Sequence, residues 1–235
     1  MASIPIVHQS PEFREAFFDR GGENAARCYQ CATCSSVCEL APANAPFPRR
    51  QILWAQWGLE DIAVHVKGME PAGYDPRALK GMGLAYATSD RGACHLRATF
   101  YKPELSGMID PAQVDGKAEL FVDFEDRLTL FDTLILCRFY RDLYPWEMLQ
   151  EIFRALTGMD ADPVRLRQNA AAIATLTRRF NIREGLTPED DRLPKQLHRR
   201  LKDSDLVVTE EEIDTMVHDY YRLRGWNSKG VPENK

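Results

Sequence analysis

Four of the six cysteines in this 235-residue chain fall within eleven residues, as Cys28-Tyr-Gln-Cys31-Ala-Thr-Cys34-Ser-Ser-Val-Cys38. Two-residue gaps let a chain wrap one small inorganic core and aim three thiolates at successive corners. A fourth thiolate completes a [4Fe–4S] site. Zinc is the other use of such sulfur, but structural zinc usually takes two well-separated ligand pairs, and only one cysteine run is present. In two-cluster ferredoxins the fourth cysteine of such a run serves the other cluster. Either Cys38 closes this cluster locally, then, or a distant cysteine does, and local closure loses less loop entropy. A [4Fe–4S] cluster on Cys28, Cys31, Cys34 and Cys38 is the expected metal centre, and electron transfer the expected chemistry.

Three further groupings carry reactive side chains. Lys67-Gly-Met-Glu70, Tyr74-Asp-Pro-Arg77 and Lys80-Gly-Met-Gly83 mix glycines with cations. That suits an anionic group such as phosphate, although most such stretches are only turns. Arg91-Gly-Ala-Cys-His-Leu-Arg97 sets Cys94, His95 and Arg97 close together. Histidine titrates near neutrality and can give or take a proton at a reacting atom; on spacing alone, a histidine satisfied inside a core is the commoner outcome. Asp132-Thr-Leu-Ile-Leu-Cys137 brackets an apolar run with an acid and a thiol, a pattern that also reads as a buried helix.

The elements that must hold these groups are mainly helical. Pro11 to Asp19, Arg49 to Leu59, Ala118 to Leu130, Leu149 to Leu156 and Val164 to Phe180 repeat apolar residues at three- and four-residue steps. Thr209-Glu-Glu-Glu212 is a capping box, and Gly225 is placed to end the helix it opens. Lys67 to Thr88 reads as loop and turn, and Thr187 to Asp191 as a polar loop. The net charge of −5 and the lack of a Lys/Arg run set nucleic-acid binding aside. The longest apolar run is far too short to span a bilayer, and the N-terminus has no secretory pattern, so a cytoplasmic location is expected. The same location disfavours disulfides between the clustered cysteines. The fold expectation is mainly α: a small ferredoxin-like cluster-binding head over residues 1–62, then a helical domain over 63–235.

Two resemblances sharpen this. Residues from about 12 to 60, with Cys28 to Cys38 leading into Phe47-Pro-Arg-Arg-Gln-Ile-Leu-Trp-Ala-Gln-Trp-Gly58, resemble the first half of the small iron–sulfur subunit of heterodisulfide reductase. That subunit's second cysteine motif is missing, and Glu39 stands where ferredoxins usually have proline. From about residue 63 the order Lys67-Gly-x-Glu70, Asp75-Pro-Arg77, Gly81-x-Gly83, Ala87-Thr-Ser, Arg91-Gly-Ala-Cys-His95, Asp132-x-x-x-Leu-Cys137 and Tyr221-Arg-Leu-Arg-Gly-Trp226 resembles the C-terminal part of the tungsten-pterin aldehyde:ferredoxin oxidoreductases. These enzymes oxidise aldehydes to acids and pass electrons through a [4Fe–4S] cluster to ferredoxin.

The second resemblance implies roles. His95 matches a histidine beside the metal that acts on the aldehyde oxygen. Arg97 falls where a basic residue contacts the pterin, Asp132 matches the pterin-binding acid of an Asp-x-x-Gly-Leu-Cys motif, and Leu136 contacts the pterin through its backbone. Cys137 matches a distant fourth cluster ligand and so competes with Cys38. Ile135 stands where the motif has glycine. The family's N-terminal β-rich domain and middle segment are not recognisable, so a partner chain carrying them is implied, with ferredoxin or another redox protein as acceptor. The implied function is an iron–sulfur electron-transfer component of a tungsten- or molybdenum-pterin aldehyde oxidoreductase. A stand-alone [4Fe–4S] electron-transfer or docking subunit, or an inactive fusion fragment, stays open as the alternative.

Overall fold

The computed structural model describes residues 10–19, 52, 54, 64–201 and 204–233. The chain divides into two units, Met1–Val64 and His65–Lys235. In the first, α1 (Pro11–Phe17) is capped by Ser10, whose hydroxyl accepts the Phe13 N–H at 3.1 Å. Ile52 and Trp54 are also helical. Cys28, Cys31, Cys34 and Cys38 lie outside the described residues, as does most of the expected head.

The second unit is helical: α2 (Lys80–Thr88), α3 (Tyr101–Leu105), α4 (Lys117–Thr133), α5 (Trp146–Thr157), α6 (Pro163–Arg183) and α7 (Glu210–Arg224). Among the described residues, strand pairing is limited to the isolated bridges Val66–Met69 and Trp226–Pro232. None of the described helices is long and apolar enough to cross a membrane.

Helix α4 is the spine, because α2, α6 and α7 all touch it. One side of it buries Leu128, Leu130 and Phe131 with Trp146, Leu149, Leu166 and Ala170 of α5 and α6. Helix α6 starts one residue before the expected Val164. Asp162 accepts the Arg165 N–H at 2.7 Å, and Pro163 opens the first turn. Helix α7 has the expected capping box, with Thr209 accepting the Glu212 N–H and Glu212 accepting the Thr209 N–H, and Gly225 ends it at φ +69°.

Two readings from sequence change. Residues 80–88 are not loop: α2 is buried from Gly81 to Thr88. Its glycines are contact residues rather than breakers. A Cβ on Gly81 would stand 2.4 Å from the Phe100 ring and 2.9 Å from Glu104 Oε1, and one on Gly83 would stand 2.5 Å from Ile213 Cδ1. The Glu104 carboxylate accepts the Gly81 N–H at 2.8 Å, satisfying an orphan donor at the helix start. It also pairs at 2.5 Å with Lys117, whose side chain is wholly buried. The second change is at Lys67, which faces no open anion site. Its ammonium caps the end of α2 through the carbonyls of Ala87 (2.5 Å) and Ser89 (3.0 Å), and it pairs with buried Asp191 at 2.7 Å. Asp191, read as part of a polar loop, is thus an anchor that also holds Arg178 of α6 at 2.7 Å.

Gly81→Ala is expected to destabilise the chain by roughly 1–3 kcal/mol, because the added methyl overpacks a core that is already full. Gly73→Ala, with nothing within 4 Å of the new Cβ, serves as the control. Urea denaturation of the two variants checks the contrast.

Candidate active site

The residues singled out around positions 90–97 and 132–137 come together because α2 ends beside the C-terminus of α4. After Ser89 the chain turns at Gly92, whose φ of +108° and 2.4 Å approach of a Cβ site to the Val66 carbonyl leave room only for glycine. The turn delivers Cys94, buried, and His95, half-buried. The Cys94 sulfur accepts N–H groups from Arg91 at 2.9 and 3.2 Å and from Leu96 at 3.4 Å. Burial first, and then the Arg91 guanidinium, push the His95 pKa below its ordinary value. At neutral pH the imidazole is therefore uncharged.

Arg97 reaches across to α4. Its Nε donates to Asp90 Oδ1 at 2.7 Å and its Nη1 to Asp132 Oδ2 at 2.8 Å. Burial works against the Arg97 charge, but Asp90 and Asp132 outweigh it and hold its pKa above the usual value. Arg138 grips Asp132 from the other side, with Nε 3.0 Å from Oδ1, and its Nη1 donates to the Leu96 carbonyl. Asn181 of α6 donates to the Asp90 carbonyl at 2.7 Å. Asp90, Arg97, Asp132, Asn181, Arg178 and Glu125 are among the residues that line a polar cavity of about 180 Å³. His95, Leu136 and Cys137 do not line it.

The Asp132–Cys137 run is not a helix interior. Helix α4 stops at Thr133 and closes in a Schellman turn. The Ile135 N–H donates to the Asp132 carbonyl at 3.2 Å and the Leu136 N–H to the Phe131 carbonyl at 2.8 Å. Leu136 packs against the apolar cluster around Phe131, while Cys137 is an exposed free thiol. Ile135 occupies the left-handed position of the turn at φ +57°, and the residue is 93% exposed. A β-branched residue is costly there.

The donor set suits a pterin. Its amino-pyrimidine edge presents N–H groups to a carboxylate, and its phosphate presents anionic oxygens to guanidinium forks. Asp132 supplies the acceptor, with 42% of its side chain still exposed between its two arginines. Arg97 would supply a guanidinium donor, while the three nitrogens of Arg138 are engaged with Asp132 and the Leu96 carbonyl and hold the acid in place. Among the described residues no three His, Cys, Asp or Glu side chains gather as a metal site, and Cys137 offers a single accessible thiol. Sequence reading missed Asp90, Arg138 and Asn181. Arg138 had a signal in its place next to Cys137; Asn181, ninety-one residues from its partner, had none.

The chain matches the family described as "Aldehyde ferredoxin oxidoreductase, domains 2 & 3" over residues 51–235. It is 32% identical over 186 residues to the tungsten-containing aldehyde ferredoxin oxidoreductase of Pyrococcus furiosus, covering 76% of this chain and 31% of that protein. The proteins of the same name from Thermococcus kodakarensis and Pyrococcus abyssi are 31% and 32% identical, with 76% and 72% of this chain covered. The chain thus spans about a third of the length of these curated relatives.

Ile135→Gly is expected to stabilise the chain. Relief of the left-handed strain contributes about 1–2 kcal/mol, and the greater freedom of glycine in the unfolded chain takes back roughly 0.5–1 kcal/mol. A net gain near 0.5 kcal/mol in urea denaturation is the expected reading.

Proposed function

The chain belongs to the aldehyde ferredoxin oxidoreductase family, and from that premise we propose that it is the helical component of an enzyme oxidising aldehydes to carboxylic acids at a tungsten- or molybdenum-pterin centre. The observation that carries this reading is the meeting of Arg97 and Asp132, thirty-five residues apart in sequence, in the lining of one cavity. In this reading Asp132 accepts the pterin's N–H groups, Arg97 donates to its acceptor oxygens, and Leu136 contacts it through the backbone. When bound, the metal–pterin group supplies oxygen transfer from water and accepts the two electrons of the oxidation.

His95 acts at the aldehyde oxygen. Its depressed pKa keeps the ring neutral, so it donates an N–H to the carbonyl and has a free nitrogen for a released proton. Cys28, Cys31 and Cys34 hold a [4Fe–4S] cluster in the head, whose segment resembles that of the heterodisulfide reductase small subunit. Cys38 or Cys137 is the fourth ligand, with Cys38 favoured by loop-closure entropy. When bound, such a cluster would supply one-electron transfer to ferredoxin or another redox protein, in a cytoplasmic setting. In this reading a partner chain carrying the domains that the relatives have beyond the matched segment, which is about a third of their length, completes the centre.

Aldehyde-dependent dye reduction by the chain assembled with such a partner tests the reading. His95→Ala is expected to lower kcat by about 10²–10⁴-fold, the usual worth of a positioned acid–base group. Loss of activity on Cys28→Ala but none on His95→Ala would contradict it and leave an electron-transfer module. Bound iron is expected to fall in Cys38→Ser and to persist in Cys137→Ser; the reverse makes Cys137 the fourth ligand.

A further inference from the structure

Three rings meet beside the turn that carries His95. Tyr74 and Tyr101 stack with centroids 3.9 Å apart and planes 10° from parallel. The His95 ring lies 5.6 Å from Tyr74 and 6.2 Å from Tyr101. All three are half-buried, so the stack is no part of the sealed core. Its backbone is nonetheless fixed. The buried Tyr86 of α2 donates its hydroxyl to the carbonyls of Tyr74 at 3.0 Å and Ala72 at 3.3 Å. Tyr101 opens α3. Neither tyrosine lines the polar cavity, and neither has a part in the reading of the site given above.

A buried cation belongs to the same neighbourhood, and its field also reaches the Asp142 carboxylate, which it helps Lys102 to hold below its ordinary pKa. Arg141 is 7% exposed; its Nη1 donates to the Arg138 carbonyl at 2.8 Å, and its Nε has no partner. Among the described residues no carboxylate pairs with it. Its charge is felt at the Tyr74 hydroxyl, where it opposes the upward push of burial and of Tyr101.

We infer that the Tyr74–Tyr101 stack is a wall of the substrate pocket that selects aldehydes bearing a flat, unsaturated ring on the carbonyl carbon. The inference rests on His95 acting at the aldehyde oxygen. A carbonyl within hydrogen-bond reach of His95, about 2.6–3.2 Å, places its substituent within one ring's width of the imidazole. The rings that occupy that shell are Tyr74 and Tyr101. A ring conjugated to a carbonyl is electron-poor and extends an offset stack on an electron-rich phenol, whereas an alkyl chain makes no such contact. Oxidation turns the aldehyde into a carboxylate, and Arg141 gives that product a positive field.

Titrations of the full chain with benzoate and cyclohexanecarboxylate, which share a charge and differ in the π face, test this. The readouts are the His95 ring-proton shifts and tyrosine fluorescence. Benzoate is expected to bind at least fivefold more tightly. The preference should vanish in Tyr74→Leu and survive in Tyr74→Phe, with far-UV circular dichroism reporting that both variants fold. Equal affinities, or a preference untouched by Tyr74→Leu, would overturn the wall. In the enzyme assembled with its partner, the ratio of kcat/KM for benzaldehyde over acetaldehyde should fall at least fivefold in Tyr74→Leu. A ratio that does not move overturns the wall and leaves aldehyde oxidation standing. Ring-selective benzoate binding by a chain that supports no aldehyde oxidation with any partner overturns the proposed function and leaves the wall as an aryl carboxylate site.

Discussion

Arg224 fixes the architecture. Its guanidinium, in a side chain only 1% exposed, lies between Glu125 Oε2 at 2.5 Å and Asp126 Oδ1 at 2.6 Å, and so bolts the end of α7 onto the middle of α4. Tyr220 completes the joint by donating its hydroxyl to the same Glu125 oxygen at 2.8 Å. A buried charge with two opposite partners is tolerable, whereas one stripped of its partners costs about 3–5 kcal/mol. The joint therefore sets register as well as contact, since sliding α7 by one residue would strand all of these charges. The Lys67–Asp191–Arg178 cluster does the same for α2 and α6. Between them the two networks hold α2, α4, α6 and α7 rigidly enough to present short polar turns at their ends.

The site grows out of those ends. Where α2 stops, Gly92 turns the chain back and Arg97 is aimed at α4. Where α4 stops, the Schellman turn leaves Asp132 at the rim, Leu136 in the apolar cluster and Cys137 in solvent. Three different environments thus come from a single helix terminus, each set by its place in the turn. The strain at Ile135 falls in the middle of this arrangement, and strained backbone commonly marks places where a protein's surroundings over-determine a conformation.

Much of this was legible in the sequence, for definite reasons. The α7 capping box and the long periodic stretches are local signals, and the helices follow them. The mainly helical class follows in turn. Residues 80–88 misled because Gly81 and Gly83 read as breakers, and only the approach of Phe100, Glu104 and Ile213 shows them to be contact positions. The end of α4 misled for the opposite reason. A glycine would have announced the left-handed turn, and Ile135 conceals it. Arg97 and Asp132 were nameable from motif order, but their pairing, and the support of Asp90, Arg138 and Asn181, exist only once α2, α4 and α6 are assembled. The tyrosine stack pairs a residue outside the helices, Tyr74, with the first residue of α3, Tyr101, so nothing in the chain's order foretold it.

What unites these features is an acid held between two arginines at the end of a well-anchored helix, and the proposed pterin binding rests on that arrangement. Pterin and tungsten or molybdenum content of the chain co-purified with its partner, compared with that of Asp132→Ala at matched thermal stability, tests this most directly. The expected result is near-stoichiometric pterin and metal in the unaltered protein and at least a tenfold loss in Asp132→Ala. Equal content in both proteins, or neither pterin nor metal in any preparation, would contradict it.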